Sequence, residues 1–329
     1  MRKIFATCAS AAMLAWGALA AQAAGLPGPL VDSAWLAVNL DKVQVVDVRG
    51  NVKSYTAKPE FETDAKSGKQ TLSEVGGHIA GARLIDMKNM RTERTLGELK
   101  VKYMIPEKAD FERAVQAAGV VAGKPIVLVP VGVDVPDMDD ALRVYWQFKV
   151  YGEDNIAVLD GGMANWLIEN RPHSTDAAAS SPGDWVAKAD RSARYFASSE
   201  DVAKAIAGKS ATLVDARDAK NFHGLTKRDY VHAYGHLEGA RLYTPDLMFK
   251  STGGALKFMS TNTYRALVSA QGIDPAAPSI AYCNSGHLSA GAWFLMSEVL
   301  GSQSARLYDG SLHQWTLEKR PVVGAVPLQ

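Results

Sequence analysis

The sequence predicts an α/β protein made of two tandem copies of one unit, each a mainly parallel sheet with helices on both faces. Three observations predict it. First, four anchors recur in the same order. "VVDVRG" (45–50) is echoed by "LVDARD" (213–218), and "GHIAGARL" (77–84) by "GHLEGARL" (235–242). "KPIVLVPVG" ending at Gly132 parallels "APSIAYCNSG" ending at Gly286, and "AVLDGGMANW" ending at Trp166 parallels "RLYDGSLHQW" ending at Trp315. Second, short apolar runs alternate with segments of helical pattern throughout. Third, 329 residues suffice for two domains of ordinary size.

Each element follows from its residues. "VQVVDV" (43–48) and "ATLVDA" (211–216) are β-rich runs built around an Asp. "PIVLVP" (125–130) and "SIAYC" (279–283) are continuous apolar runs of the kind buried on both faces of a parallel sheet. "NIAVLDGG" and "SARLYDGS" are further strands closed by glycine turns. "DFERAVQAAGV" (110–120) and "NTYRALVSAQGI" (262–273) carry helical spacing. In the latter, Ser260 or Thr261 suits the N-cap and Gly272 the residue after the helix. "HLSAGAWFLMSEVLG" (287–301) has helix length and is apolar on almost every side, so it belongs in a core.

Composition bounds the function classes. Apolar residues make up 47% and charged residues 22%, with net charge +1, so nothing calls for nucleic acid as partner. Residues 1–23 read as a secretory signal: Arg2 and Lys3, an alanine-rich apolar core, then small residues up to Ala23. The expectation is export to the periplasm with no membrane insertion after cleavage. The expected division is 24–171 as a non-catalytic domain, 172–190 as a Pro/Ser/Ala-rich linker and 191–329 as the catalytic domain. Cleavage removes Cys8 and leaves Cys283 as the single thiol, which excludes an intramolecular disulfide. No cofactor or metal is implied.

Cys283 leaves its strand into the polar loop "NSGH" and a helix start. Open α/β sheets bind ligands outside the carboxyl ends of their strands. Backbone N–H groups curled there form an anion nest, reinforced by the positive helix end. A thiol so placed is expected as an accessible thiolate, and the nest as a receptor for an anionic sulfur donor.

On these motifs the chain resembles the tandem-domain rhodanese family of thiosulfate and 3-mercaptopyruvate sulfurtransferases. The features are "VDVR" and "VDAR", the two "GH…GA" segments, the loop "CNSGHLS", and the "DGG…W" and "DGS…W" ends. The resemblance implies two rhodanese-like domains with the site near their interface, and Pro130 standing where the first copy lacks a cysteine. It implies a persulfide on Cys283, held by amides of Asn284, Ser285, Gly286, His287 and Leu288, with transfer from donor to cyanide or a thiol. A related phosphatase loop would need an Arg six residues after the Cys; that position is Ser289. Where the resemblance expects Arg-Phe/Tyr-x-Gly, the chain has Asn221-Phe222-His223-Gly224, so His223, Lys227 and Arg228 are the candidate cations. The alternative reading is a sulfur carrier loaded by a periplasmic thiol protein. The pairs Asp47–Arg49 and Asp215–Arg217, with His78 and His236, occur in both copies and read as structural.

Overall fold

The computed structural model describes residues 25–178, 181–324 and 326. The expected signal at 1–23, with Cys8, lies outside them. Two parallel sheets form the scaffold. The first has five strands in the order Leu30–Val31, Ile156–Leu159, Ile126–Val129, Gln44–Arg49 and Arg83–Asp86. The second has four, in the order Arg241–Leu242, Thr212–Asp215, Ser279–Tyr282 and Ala305–Leu307. A single parallel bridge between Phe196 and Leu307 stands where the first sheet has its short edge strand. Ile126–Val129 and Ser279–Tyr282 are buried at every position, as strands covered on both faces must be.

The repeat is visible in hydrogen bonds. Met163 and Ala164 N–H groups donate to the carbonyls of Pro130 and Val131, at 2.8 and 2.9 Å. Leu312 and His313 do the same to Cys283 and Asn284, at 3.2 and 2.9 Å. Pro130 therefore occupies the place of Cys283. The Asp–Arg pairs are buried, with contacts of 2.6 and 2.7 Å, and each arginine also donates to a glycine carbonyl, Gly77 or Gly235. They staple the strand end to the loop that carries His78 or His236. Those two rings stack on Tyr55 and Phe222. Ser260 caps the helix Thr261–Ala270, and Gly272 follows it at φ +68°.

The two halves share one apolar core. Val46, Leu128 and Trp146 belong to the same cluster as Ala281, Trp293 and Leu307. The reason lies in two helices that are buried nearly all round. Val135–Val150 starts at Asp134, whose side chain takes the Asp137 N–H, and it packs between its own sheet and the helix Leu288–Phe294. The second helix continues as a π turn, Leu295–Val299. Each covers surface that the other half leaves bare.

Two ribbons cross the interface reciprocally. The hairpin Thr92–Leu96 with Leu99–Met104 reaches over the second half, where Ile105 N–H donates to Asp309 Oδ2 at 2.7 Å. The ribbon Lys250–Thr252 with Ala255–Lys257 reaches over the first, where Phe258 N–H donates to Asp160 Oδ1 at 2.8 Å. The connection between halves is no free tether either. Trp185 is buried edge-on against Phe111 and Phe148, and its Nε1 donates to Glu153 at 3.0 Å.

Candidate active site

Cys283 is the first residue beyond Ser279–Tyr282, one of the two central strands of the second sheet. Its sulfur receives two donors, the Ser285 N–H at 3.5 Å and the Ser289 hydroxyl at 3.6 Å. The expected ring of amides from Asn284 to Leu288 is smaller than the sequence suggests. Gly286 N–H goes to Ser311 Oγ at 3.1 Å, which also takes the Cys283 N–H at 3.0 Å. The Ser311 hydroxyl in turn donates to the Tyr308 carbonyl, and Ser311 sits at φ +50°. Gly286 thus shapes the loop rather than cradling the sulfur.

The thiol is also less open than expected, because Cys283 is only 2% exposed. The loop that holds it is buried at the junction of the halves, with Asn284, Ser285 and Gly286 all covered. The first half does much of the covering. Arg143, fully buried, donates through Nη1 to the Gly286 carbonyl at 2.9 Å and pairs with Asp309 at 2.5 Å. Gly286 is at φ +75°, and a Cβ there would lie 2.5 Å from the Asp309 carbonyl oxygen, so only glycine fits. His287 Nε2 meets Asp140 Oδ1 at 2.8 Å. Leu288 opens the following helix.

Asp139 lies beside the same helix. It is 1% exposed, and neither carboxyl oxygen has a hydrogen-bond partner among the described residues. Gly291 makes room for it: a Cβ there would lie 2.2 Å from Asp139 Oδ1. Burial, then the charge of Cys283, pushes its pKa well above the usual carboxylate range. A neutral Asp139 leaves a negative sulfur unopposed. Arg91 acts in the other direction. Its Nη2 donates to the Ser285 carbonyl at 2.6 Å and hydroxyl at 2.9 Å, and Tyr230 Oη lies 3.3 Å from that hydroxyl.

The three candidate cations stand apart from this constellation. His223 is exposed at the end of the helix Ala219–Phe222; Lys227 leans over the Tyr234 ring at 5.4 Å; Arg228 is exposed. None makes a hydrogen bond to residues 283–288 among those described. Asn221 turns its amide to Asp218 and Thr226. The residues that do reach the loop or the helix after it — Arg91, Asp139, Asp140 and Arg143 — come from the first half and were missed in the sequence. The one signal for the last three was "MDDALR", a charged run inside a segment of helical length.

The family profile described as a rhodanese-like domain matches residues 198–318. Human 3-mercaptopyruvate sulfurtransferase is 27% identical over 312 residues, covering 92% of this chain and 90% of the relative. A Haloferax volcanii protein provisionally named thiosulfate sulfurtransferase is 27% identical over 294 residues, covering 87% and 92%. Among solved structures, SseA from Escherichia coli, described as having the rhodanese fold, aligns with TM-score 0.67 at 23% identity, over 86% of this chain and 98% of that one. The anaerobic ergothioneine biosynthesis enzyme of Chlorobium limicola aligns with TM-score 0.71 at 17% identity, over 91% and 71%. The family profile reaches only the thiol-bearing half, and the full-length relatives bring in the other. The chain belongs to the rhodanese-like sulfurtransferases, homologous to the 3-mercaptopyruvate and thiosulfate sulfurtransferases over most of its length.

Proposed function

We propose that this chain moves sulfane sulfur from a small anionic donor, thiosulfate or 3-mercaptopyruvate, to cyanide or a thiol through a persulfide on Cys283. The observation that carries this reading is the pair of donors on the sulfur, Ser285 N–H and Ser289 Oγ, which can hold a negative sulfur atom. The Cys283 thiolate attacks the outer sulfur of the donor. With thiosulfate, the donor S–S bond breaks and sulfite leaves with the electron pair. With 3-mercaptopyruvate, the C–S bond breaks and the leaving enolate takes a proton to become pyruvate. The acceptor then attacks the outer sulfur of the persulfide, and the thiolate is restored. Two half-reactions sharing one covalent intermediate give ping-pong kinetics.

Burial of Cys283 favours this reading over a carrier loaded by another protein, because a protein donor would have to bring its own sulfur under the covering residues. Export belongs to the proposal as well, supported by the basic, apolar and small-residue order of residues 1–23. N-terminal sequencing of the mature protein from an extracytoplasmic fraction tests it, with Ala24 expected first. The central test is mass spectrometry after exposure to each donor. A gain of about 32 Da on the wild type, absent from Cys283→Ser with its fold retained, is expected for one added sulfur. No gain with any donor would refute the enzyme. Loading only from a partner protein would replace it with the carrier.

A further inference from the structure

Arg91 sits at the foot of the first-half hairpin, one residue beyond the turn Met87–Met90. Its guanidinium is used on two sides. Nη2 holds the carbonyl and hydroxyl of Ser285, and Nε donates to the Tyr103 carbonyl at 3.3 Å. Nη1 has no hydrogen-bond partner among the described residues, and Arg91 as a whole is only partly buried. A charged fork with one free edge therefore stands over the residue whose own N–H donates to the Cys283 sulfur.

Tyr103 explains how the fork is aimed. It is an aromatic residue at φ +67°, a left-handed conformation that bulky side chains rarely adopt. Such a backbone persists only where its surroundings hold it, and that happens chiefly at sites of function. Here it turns the Tyr103 carbonyl onto Arg91 Nε and lays the ring beneath the cation, 4.7 Å from the guanidinium carbon. The Tyr103 ring also meets Tyr230 at 5.0 Å. The groups whose charges act on Arg91 are Arg143, Cys283, Asp309 and Tyr230.

A thiolate that attacks an anionic donor needs a positive charge close by, since two negative charges must approach. Among the described residues, the second half places no free cation against the cysteine loop. His223, Lys227 and Arg228 make no hydrogen bond to the loop. His287 is paired with Asp140, and the first half's own Arg143 is buried and engaged by Asp309 and Gly286. We propose that Arg91, carried by the first half, is the anion receptor of the cysteine loop: its Nη1 edge binds an oxygen of the sulfur donor. Tyr103 is the positioning residue that aims it. This rests on the sulfur-transfer reading for the identity of the anion, though not for its charge.

The test uses two alkylating reagents of nearly equal size on the full-length protein, anionic iodoacetate and neutral iodoacetamide. Rates at Cys283 are normalised to those of free cysteine. Wild type favours iodoacetate. In Arg91→Gln the ratio of iodoacetate to iodoacetamide rates falls about tenfold, as expected for loss of one charge-assisted hydrogen bond. The iodoacetamide rate falls by less, by what the sulfur loses of the Arg91 charge. Arg91→Lys restores part of the ratio and also serves if Arg91→Gln does not fold. Tyr103→Gly, which tolerates the backbone, lowers the ratio in part. The KM for an anionic donor rises about tenfold in Arg91→Gln, with kcat less affected. An equal fall with both reagents marks a collapsed loop and overturns the assignment. So does a wild-type thiol that neither reagent reaches. If the wild type gains sulfur from no donor while the charge preference holds, the sulfur-transfer reading fails and Arg91 stands as an anion receptor.

Discussion

Arg143, buried in the helix of the copy that lacks a thiol, donates to the Gly286 carbonyl in the loop of the copy that has one, at 2.9 Å. The same guanidinium pairs with Asp309 at 2.5 Å, and both side chains are fully buried. Duplication left one half without a nucleophile, and that half now holds the other half's loop in shape.

Arg143→Met leaves Asp309 as an unpaired buried charge and should cost about 3–5 kcal/mol in urea unfolding. Pairing it with Asp309→Leu should recover part of that loss, since both charges then disappear. A double variant no better than the sum of the singles would show that the pair is not coupled.

Gly286→Ala puts a methyl group 2.5 Å from the Asp309 carbonyl oxygen at φ +75°. Persulfide formation should be lost, with a stability cost of about 1–3 kcal/mol. Gly301→Ala is the control. It shares a positive φ but meets nothing within 4 Å, so it should cost about 1 kcal/mol and leave transfer intact. Equal sulfur loading by both variants would show that the Gly286 turn does not matter to the thiol.

Asp139 makes stability depend on pH. Its folded pKa lies above the unfolded value of about 3.9, so the folded state binds this proton more tightly. Its contribution is fully present below about pH 4 and is lost progressively as pH rises, with a slope of at most about 1.4 kcal/mol per pH unit for one proton. Asp139→Asn should remove that slope. Melting temperatures of wild type and variant should therefore diverge from pH 5 to pH 8, in favour of the variant. Parallel curves across that range would mean Asp139 is ionised in the fold.

Trp185→Ala should destabilise the protein by about 3–5 kcal/mol, the cost of emptying a packed aromatic site. A flexible connector would lose almost nothing. Chemical denaturation of the single variant separates the two.

Much of the architecture was legible because parallel strands buried on both faces leave apolar runs, and because a duplication writes its anchors twice. The resemblance set Pro130 against Cys283 although "PVG" is one residue shorter than "CNSG", and the hydrogen bonds to Pro130 and Cys283 repeat that correspondence. The structural reading of Asp47–Arg49 and Asp215–Arg217 was legible for the same reason, since a group present in both copies cannot be what distinguishes one. Arg91 carried no such mark. It lies 194 residues from Ser285 and has no counterpart in a shared motif.

By itself, then, the sequence determined the two parallel-sheet units, their order, and the strand end at which Cys283 stands, because period, burial and repetition are local properties. Only the tertiary structure decided what surrounds that thiol. Two helices buried nearly all round joined the halves in one core, and this brought Arg91, Asp139, Asp140 and Arg143 onto a loop and helix far away in sequence. Charges that meet across such a junction leave no periodic trace along the chain; their partners are chosen by packing.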